Sequence, residues 1–120
     1  MTAGKAFPKK ERLLRSKDFR QVYAKGRKVS VGGAAFCFTD NTLGYSRVGF
    51  SVGTRNFKMA ADRNRIRRLF REAYRNNKAA LKANTDIIVV VKRGFGRKTR
   101  YQDIERTFSE LVQKAGLGCS

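Results

Sequence analysis

Thr85-Asp86-Ile87-Ile88-Val89-Val90-Val91 contains the most apolar run in the chain, and its reading decides the fold. Five consecutive β-branched residues leave no alternation between apolar and polar positions, so neither side of the segment is suited to water. A short run of this kind reads as a central strand buried on both faces. Helices must then pack on a small sheet.

Working back from that strand, residues 59–82 show helical spacing. At about 100° per residue, Ile66, Leu69, Phe70 and Ala73 share one face, with Ala80 continuing it. Arg67, Arg71 and Arg75 follow one another at i+4 on the opposite face, with Asn64 and Arg68 beside them. Within Arg63–Arg75 six of thirteen residues are arginine and one, Glu72, is acidic. Like charges at that spacing repel, so the row opposes the helix unless a polyanion neutralises it. A solvated basic face is the plainer reading, but such faces usually mix signs. Nucleic-acid contact is therefore the expectation.

Beyond the apolar strand comes a basic, glycine-containing loop, Lys92-Arg93-Gly94-Phe95-Gly96-Arg97-Lys98. Residues 101–115 are again helical in spacing (Ile104, Phe108, Leu111, Val112), and Gly116 stops them. From Arg27 to Val52 the period is two. Val29-Ser30-Val31 reads as a short strand before a Gly32-Gly33 break, and Ala35–Thr39 as a second strand. Asp40–Gly44 has turn chemistry, and Arg47–Val52 is expected to be the return strand of a hairpin with Ala35–Thr39. Nearer the start, Ser16 is the expected N-cap of a helix over 17–25 with Gly26 as its C-cap; Phe19, Val22 and Tyr23 share one of its faces. Residues 1–15 are basic and partly extended. The order α-β-β-β-α-β-α over 1–120 predicts one domain, an α/β (α+β) sandwich on a four-stranded sheet.

The charge narrows the function. Lys and Arg number 28 against 9 Asp and Glu, a net +19 spread along the whole chain. A phosphate backbone is the natural complement, because displaced counterions supply affinity. An anionic membrane competes as a polyanion, but no apolar run approaches the roughly 20 residues of a spanning helix. No signal-peptide core follows Met1, so a cytoplasmic location is expected. There Cys37 and Cys119 should be free thiols rather than a disulfide.

With no histidine there is no imidazole-based nucleophile or acid–base system. The carboxylates are scattered, which argues against a two-metal nuclease, and Asp103 and Glu105 read as helix N-terminal charges. Gly94-Phe95-Gly96 lacks a nucleotide-binding pattern. Neither a protein-bound cofactor or metal nor a small-molecule ligand is expected.

Three groups look like binding equipment. They are the arginine helix; Phe19, Tyr23, Phe36 and Phe38 among Arg20, Lys25, Arg27 and Lys28, where aromatics could stack on unpaired bases or simply be core; and Thr54-Arg55-Asn56 with Lys92-Arg93. The last group would meet at one edge of the sheet if strands 47–52 and 87–91 are neighbours.

The run Ala61-Asp62-Arg63-Asn64-Arg65-Ile66-Arg67-Arg68-Leu69-Phe70-Arg71-Glu72 closely resembles the arginine signature of the protein subunit of bacterial ribonuclease P. Three further blocks resemble that family in the same order: Ala6–Tyr23, Arg47–Val52 and Asp86–Gly94. The resemblance implies a left-handed βαβ crossover, against the usual handedness. It also implies that catalysis belongs to a partner RNA, whose magnesium ions cut the 5′ leader from precursor tRNA. In family terms Arg63, Asn64, Arg65, Arg67, Arg68 and Arg71 would contact the catalytic RNA. A cleft between the first helix and the sheet would hold the leader through Phe19, Tyr23, Phe36 or Phe38, Ser51, Arg55, Lys92 and Arg93. Thr54 stands where the family usually has a basic residue. The free protein is expected to be monomeric. The competing readings are a ribosomal or other structural RNA-binding protein and a metal-dependent nuclease acting alone. A DNA-binding helix-turn-helix is disfavoured, since no short partner helix precedes the arginine helix.

Overall fold

The computed structural model describes residues 7–53, 57–96 and 98–118. Helices α1 (Ser16–Lys25), α2 (Ala60–Asn77) and α3 (Tyr101–Ala115) surround strands β1 (Arg27–Val31), β2 (Ala34–Asp40), β3 (Arg47–Val52) and β4 (Thr85–Val91). Single 3-10 turns at Lys9–Glu11 and Lys78–Ala80 precede α1 and follow α2.

The sheet order is β1-β2-β4-β3. β4 is central, as its composition requires, antiparallel to β2 and parallel to β3. This corrects the expected hairpin. β2 and β3 do not pair with each other, because β4 lies between them. The hairpin is instead β1–β2, turning at Gly32-Gly33. An unbroken apolar strand at an edge would leave one row of its backbone groups unpaired as well as its side chains wet.

Register assigns the two faces. Phe36, Phe38, Val48, Val52, Ile87, Val89 and Val91 join the main core with Ile66, Phe70, Ala73 and Tyr74 of α2 and Ile104, Phe108 and Leu111 of α3. Cys37 and Ile88 point the other way and pack with Leu13 and with Val22 of α1, flanked by Phe19 and Val90. Helices therefore cover both faces: α2 and α3 on one, α1 on the other.

Local details differ from expectation. Ser16 begins α1 rather than capping it. Gly26 has φ −80°, so it is no left-handed cap; a side chain there would strike the carbonyl oxygens of Val22 and Phe38. α2 gives way to the 3-10 turn after Asn77, leaving Ala80 exposed.

The N-terminal segment is tied down by polar contacts as well as by buried Phe7 and Leu13. Leu13 donates its backbone N–H to the Val48 carbonyl at 3.0 Å, adding one parallel rung to the outer edge of β3. Buried Glu11 accepts from the Tyr74 hydroxyl at 3.2 Å and pairs with Lys78 at 2.6 Å. On the α1 side, Arg47 of β3 grips buried Asp86 of β4 through Nε and Nη2 at 3.0 and 2.7 Å and reaches Asp18 of α1 at 3.4 Å. The bond to Asp86 raises the Arg47 pKa. This bidentate clamp sets α1 against the β3–β4 pair.

Candidate nucleic-acid interface

The cleft between α1 and the sheet begins with a missing side chain. Gly49 of β3 faces α1, and a Cβ built on it would meet Phe19 Cζ at 2.6 Å and Leu13 Cβ at 3.0 Å. Only glycine lets the Phe19 ring lie this close to the strand. Tyr23, one turn on, has its ring centroid 6.5 Å from that of Phe19 and is 49% exposed. The two rings form a half-wet aromatic step, available for stacking.

Strand alternation places Ser51, Val90 and Cys37 on this same side, and Phe36 and Phe38 on the other. This corrects the expectation that one of the two phenylalanines faces the cleft. Phe36 is fully buried with its ring centroid 5.3 Å from that of Phe108, and Phe38 is buried with the Arg27 guanidinium 5.0 Å from its ring. Cys37 takes the cleft position in their place. The signal was present in the sequence, since a period of two that aligns Phe36 with Phe38 must point Cys37 the opposite way.

β3 and β4 are neighbours with Val52 opposite Val91, so residues 53 and 92 emerge side by side. Lys92 and Arg93 are exposed there; Thr54, Arg55 and Asn56, expected to join them, lie outside the described residues, as does Cys119. Both Lys92 and Arg93 are held close to the β1–β2 turn, where their backbone N–H groups donate to the Gly33 carbonyl at 2.7 and 3.3 Å. A side chain on Gly33 would overlap the Arg93 carbonyl. Lys28, expected beside the aromatic group, is exposed on the same side of β1 and joins this cluster instead. It faces Lys92 and, with Arg93, pushes the Lys92 pKa down. Cations crowded in this way favour an anion between them.

The arginines of α2 divide by what they touch. Arg63 donates to the Phe57 and Lys58 carbonyls at 2.7 and 3.2 Å, and Arg65 to the Gly96 and Thr99 carbonyls at 3.2 and 2.5 Å. Those two hold the chain entering α2 and the loop before α3. Asn64 and Arg68 are exposed, and Arg67 donates to the Asn64 side chain at 2.9 Å. Arg67 and Arg71 are half-buried, so they flank the helix rather than crown it. Burial, then Arg12 and Arg67, lowers the Arg71 pKa.

Arg67 and Arg71 meet Phe19 and Gly49 around one cavity of about 260 Å³ at the outer edge of β3. The aromatic cleft on one face and the arginine helix on the other thus run into each other around the edge strand. Among the described residues no group of three or more His, Cys, Asp or Glu could hold a metal ion, and no helix is long and apolar enough to cross a membrane.

Residues 7–116 match the family model described as Ribonuclease P. The chain belongs to the ribonuclease P protein family. Ribonuclease P proteins are subunits of a ribonucleoprotein endoribonuclease that acts in tRNA processing. Over 114 residues the chain is 37% identical to the ribonuclease P protein component of Legionella pneumophila (strain Corby), covering 92% of this chain and 97% of that one. Over 89 residues it is 43% identical to the counterpart from Chromohalobacter salexigens, covering 73% and 69%. The Staphylococcus aureus RNase P protein superposes with a TM-score of 0.81 at 24% identity over 89% of this chain and 96% of that one. The Thermotoga maritima protein gives 0.79 at 25% identity over 87% and 96%. Those structures share the mixed α+β fold with its four-stranded sheet. Membership sets aside the ribosomal-protein reading.

Proposed function

We propose that this chain is the RNA-binding subunit of ribonuclease P, lending affinity and electrostatic neutralisation to an RNA that performs the cleavage. The observation that carries the reading is the continuity of two cationic surfaces around β3, one aromatic and one arginine-rich. Asn64, Arg67, Arg68 and Arg71 contact the catalytic RNA. Arg63 and Arg65 serve that face by holding the loops beside it. The 5′ leader of precursor tRNA lies as a single strand along α1, its bases on Phe19 and Tyr23, its backbone near Ser51, Lys28, Lys92 and Arg93.

No group of the protein takes part in bond cleavage on this reading; magnesium held by the RNA supplies that chemistry. The protein's contribution is to gather like charges that repel one another until phosphates separate them. It thereby reduces the divalent cation needed to fold the complex. Each phosphate neutralised contributes about −0.9 to the log–log salt slope on duplex and about −0.7 on a single strand. The free protein is monomeric and cytoplasmic.

The test is 5′ processing of a precursor tRNA at low magnesium by this protein, by a bacterial ribonuclease P RNA, and by both. Cleavage only with both is expected. No gain over RNA alone, with tight RNA binding retained, would reduce the chain to an RNA binder. Cleavage by the protein alone would place a catalytic site in it.

A further inference from the structure

We propose that the cavity at the outer edge of β3 is a receptor for one unpaired ribonucleotide, its base among Phe7, Phe19 and Phe50 and its phosphate on Arg12, Arg67 and Arg71. This rests on the reading of the chain as an RNA-binding subunit and specifies what one part of that surface takes.

The cavity has two chemically distinct ends. Phe7, Phe19 and Phe50 line it together with aliphatic residues, while Arg12, Arg67 and Arg71 bring three guanidinium groups from two separate parts of the chain. No carboxylate is among its lining residues in the described part of the chain. An apolar slot beside converging cations is the complement of a nucleotide, flat and apolar at the base and anionic at the phosphate. Its volume of about 260 Å³ is enough to take a single base.

Arg67 and Arg71 are half-buried beside the cavity, and Arg12 reaches it from the exposed side of the N-terminal segment. Arg12 and Arg71 lie 5.1 and 5.8 Å from the Phe7 ring centroid, so both cations sit on apolar ground. Arg12 is anchored through Nε and Nη2 to the Phe7 carbonyl at 3.3 and 3.0 Å. Arg71 Nε is buried with no hydrogen-bond partner among the described residues. An orphan donor beside two further cations is costly in the free protein and is satisfied by an entering phosphate. Access is from the strand edge, where among the described residues the N-terminal segment pairs with β3 at Arg12 and Val48.

Leu14 lines the mouth and is 65% exposed, which makes it a reporter position. A Leu14→Cys, Cys119→Ser protein carrying an aryl azide on the new thiol is irradiated with catalytic RNA alone, with precursor tRNA alone, and with both. Crosslinking concentrated on one unpaired nucleotide is expected, and the arm in which it occurs tells whether catalytic RNA or leader supplies it. An abasic residue at that nucleotide should weaken binding at least tenfold with the protein untouched. Arg71→Gln should do the same to the intact RNA and lower the salt slope by about one. Crosslinks scattered along duplex, or an abasic RNA bound within twofold of the intact one, would overturn the pocket. Stimulated cleavage could persist in that case, so the wider reading stands or falls separately.

Discussion

Replacing Gly49 by alanine tests the cleft with a single methyl group. The added Cβ would sit 2.6 Å from Phe19 Cζ and 3.0 Å from both Phe19 Cε1 and Leu13 Cβ, where ordinary contact begins at 3.4 Å. The ring must withdraw by roughly 0.8 Å, and it cannot do so freely because α1 is held by Val22 in the core and by the Asp18–Arg47 pair. Overpacking of this kind costs about 1–3 kcal/mol of stability. Displacing Phe19 should also forfeit one stacked base, about 1–3 kcal/mol, or roughly 5- to 150-fold in affinity. The assay compares binding of the reconstituted holoenzyme to precursor tRNA with and without its 5′ leader, alongside urea denaturation of the protein alone. Loss of stability together with loss of the leader-dependent part of the affinity is expected. A Gly49→Ala protein with unchanged midpoint and undiminished leader preference would refute the placement of Phe19 over β3.

Tyr74 is buried against Glu11, and burial followed by that carboxylate raises its pKa above the ordinary value of 10.0. A raised pKa contributes stability that is complete below the unfolded value and is lost as pH rises above it. Stability should therefore fall steeply above about pH 10, and Tyr74→Phe should flatten that fall, as read by denaturation across an alkaline pH series. Phe36→Ala should cost about 3–5 kcal/mol in a urea titration, the usual range for a fully buried phenylalanine, whereas Tyr23→Ala should barely move the midpoint and weaken leader binding. Arg68→Ala should leave stability within about 0.5 kcal/mol while lowering RNA affinity and the salt slope by about one unit. Arg65→Ala should instead destabilise the fold, because the Gly96 and Thr99 carbonyls lose their donor.

Local pattern carried much of this protein. The run Ile87–Val91 has no polar side to offer water, so its central place in the sheet was legible from composition alone. The stripe Ile66, Phe70, Ala73 of α2 and the stripe Ile104, Phe108, Leu111 of α3 are likewise short-range periodicities, and all six residues are buried. A net charge of +19 by itself pointed to a polyanionic partner.

Strand order and the assignment of faces were decided only by the tertiary structure. Period-two alternation says that Phe36 and Phe38 share a side; it cannot say which helix covers that side, because that depends on where β4 enters and where α1 returns. Its consequence was that Cys37, not either phenylalanine, faces the cleft. The arginines make the same point at the level of single side chains. Arg65 and Arg68 are equivalent in sequence, but Arg65 finds carbonyls 31 and 34 residues away while Arg68 is exposed. Helical spacing determines the direction in which a side chain leaves its helix, and only long-range packing determines what stands there to receive it.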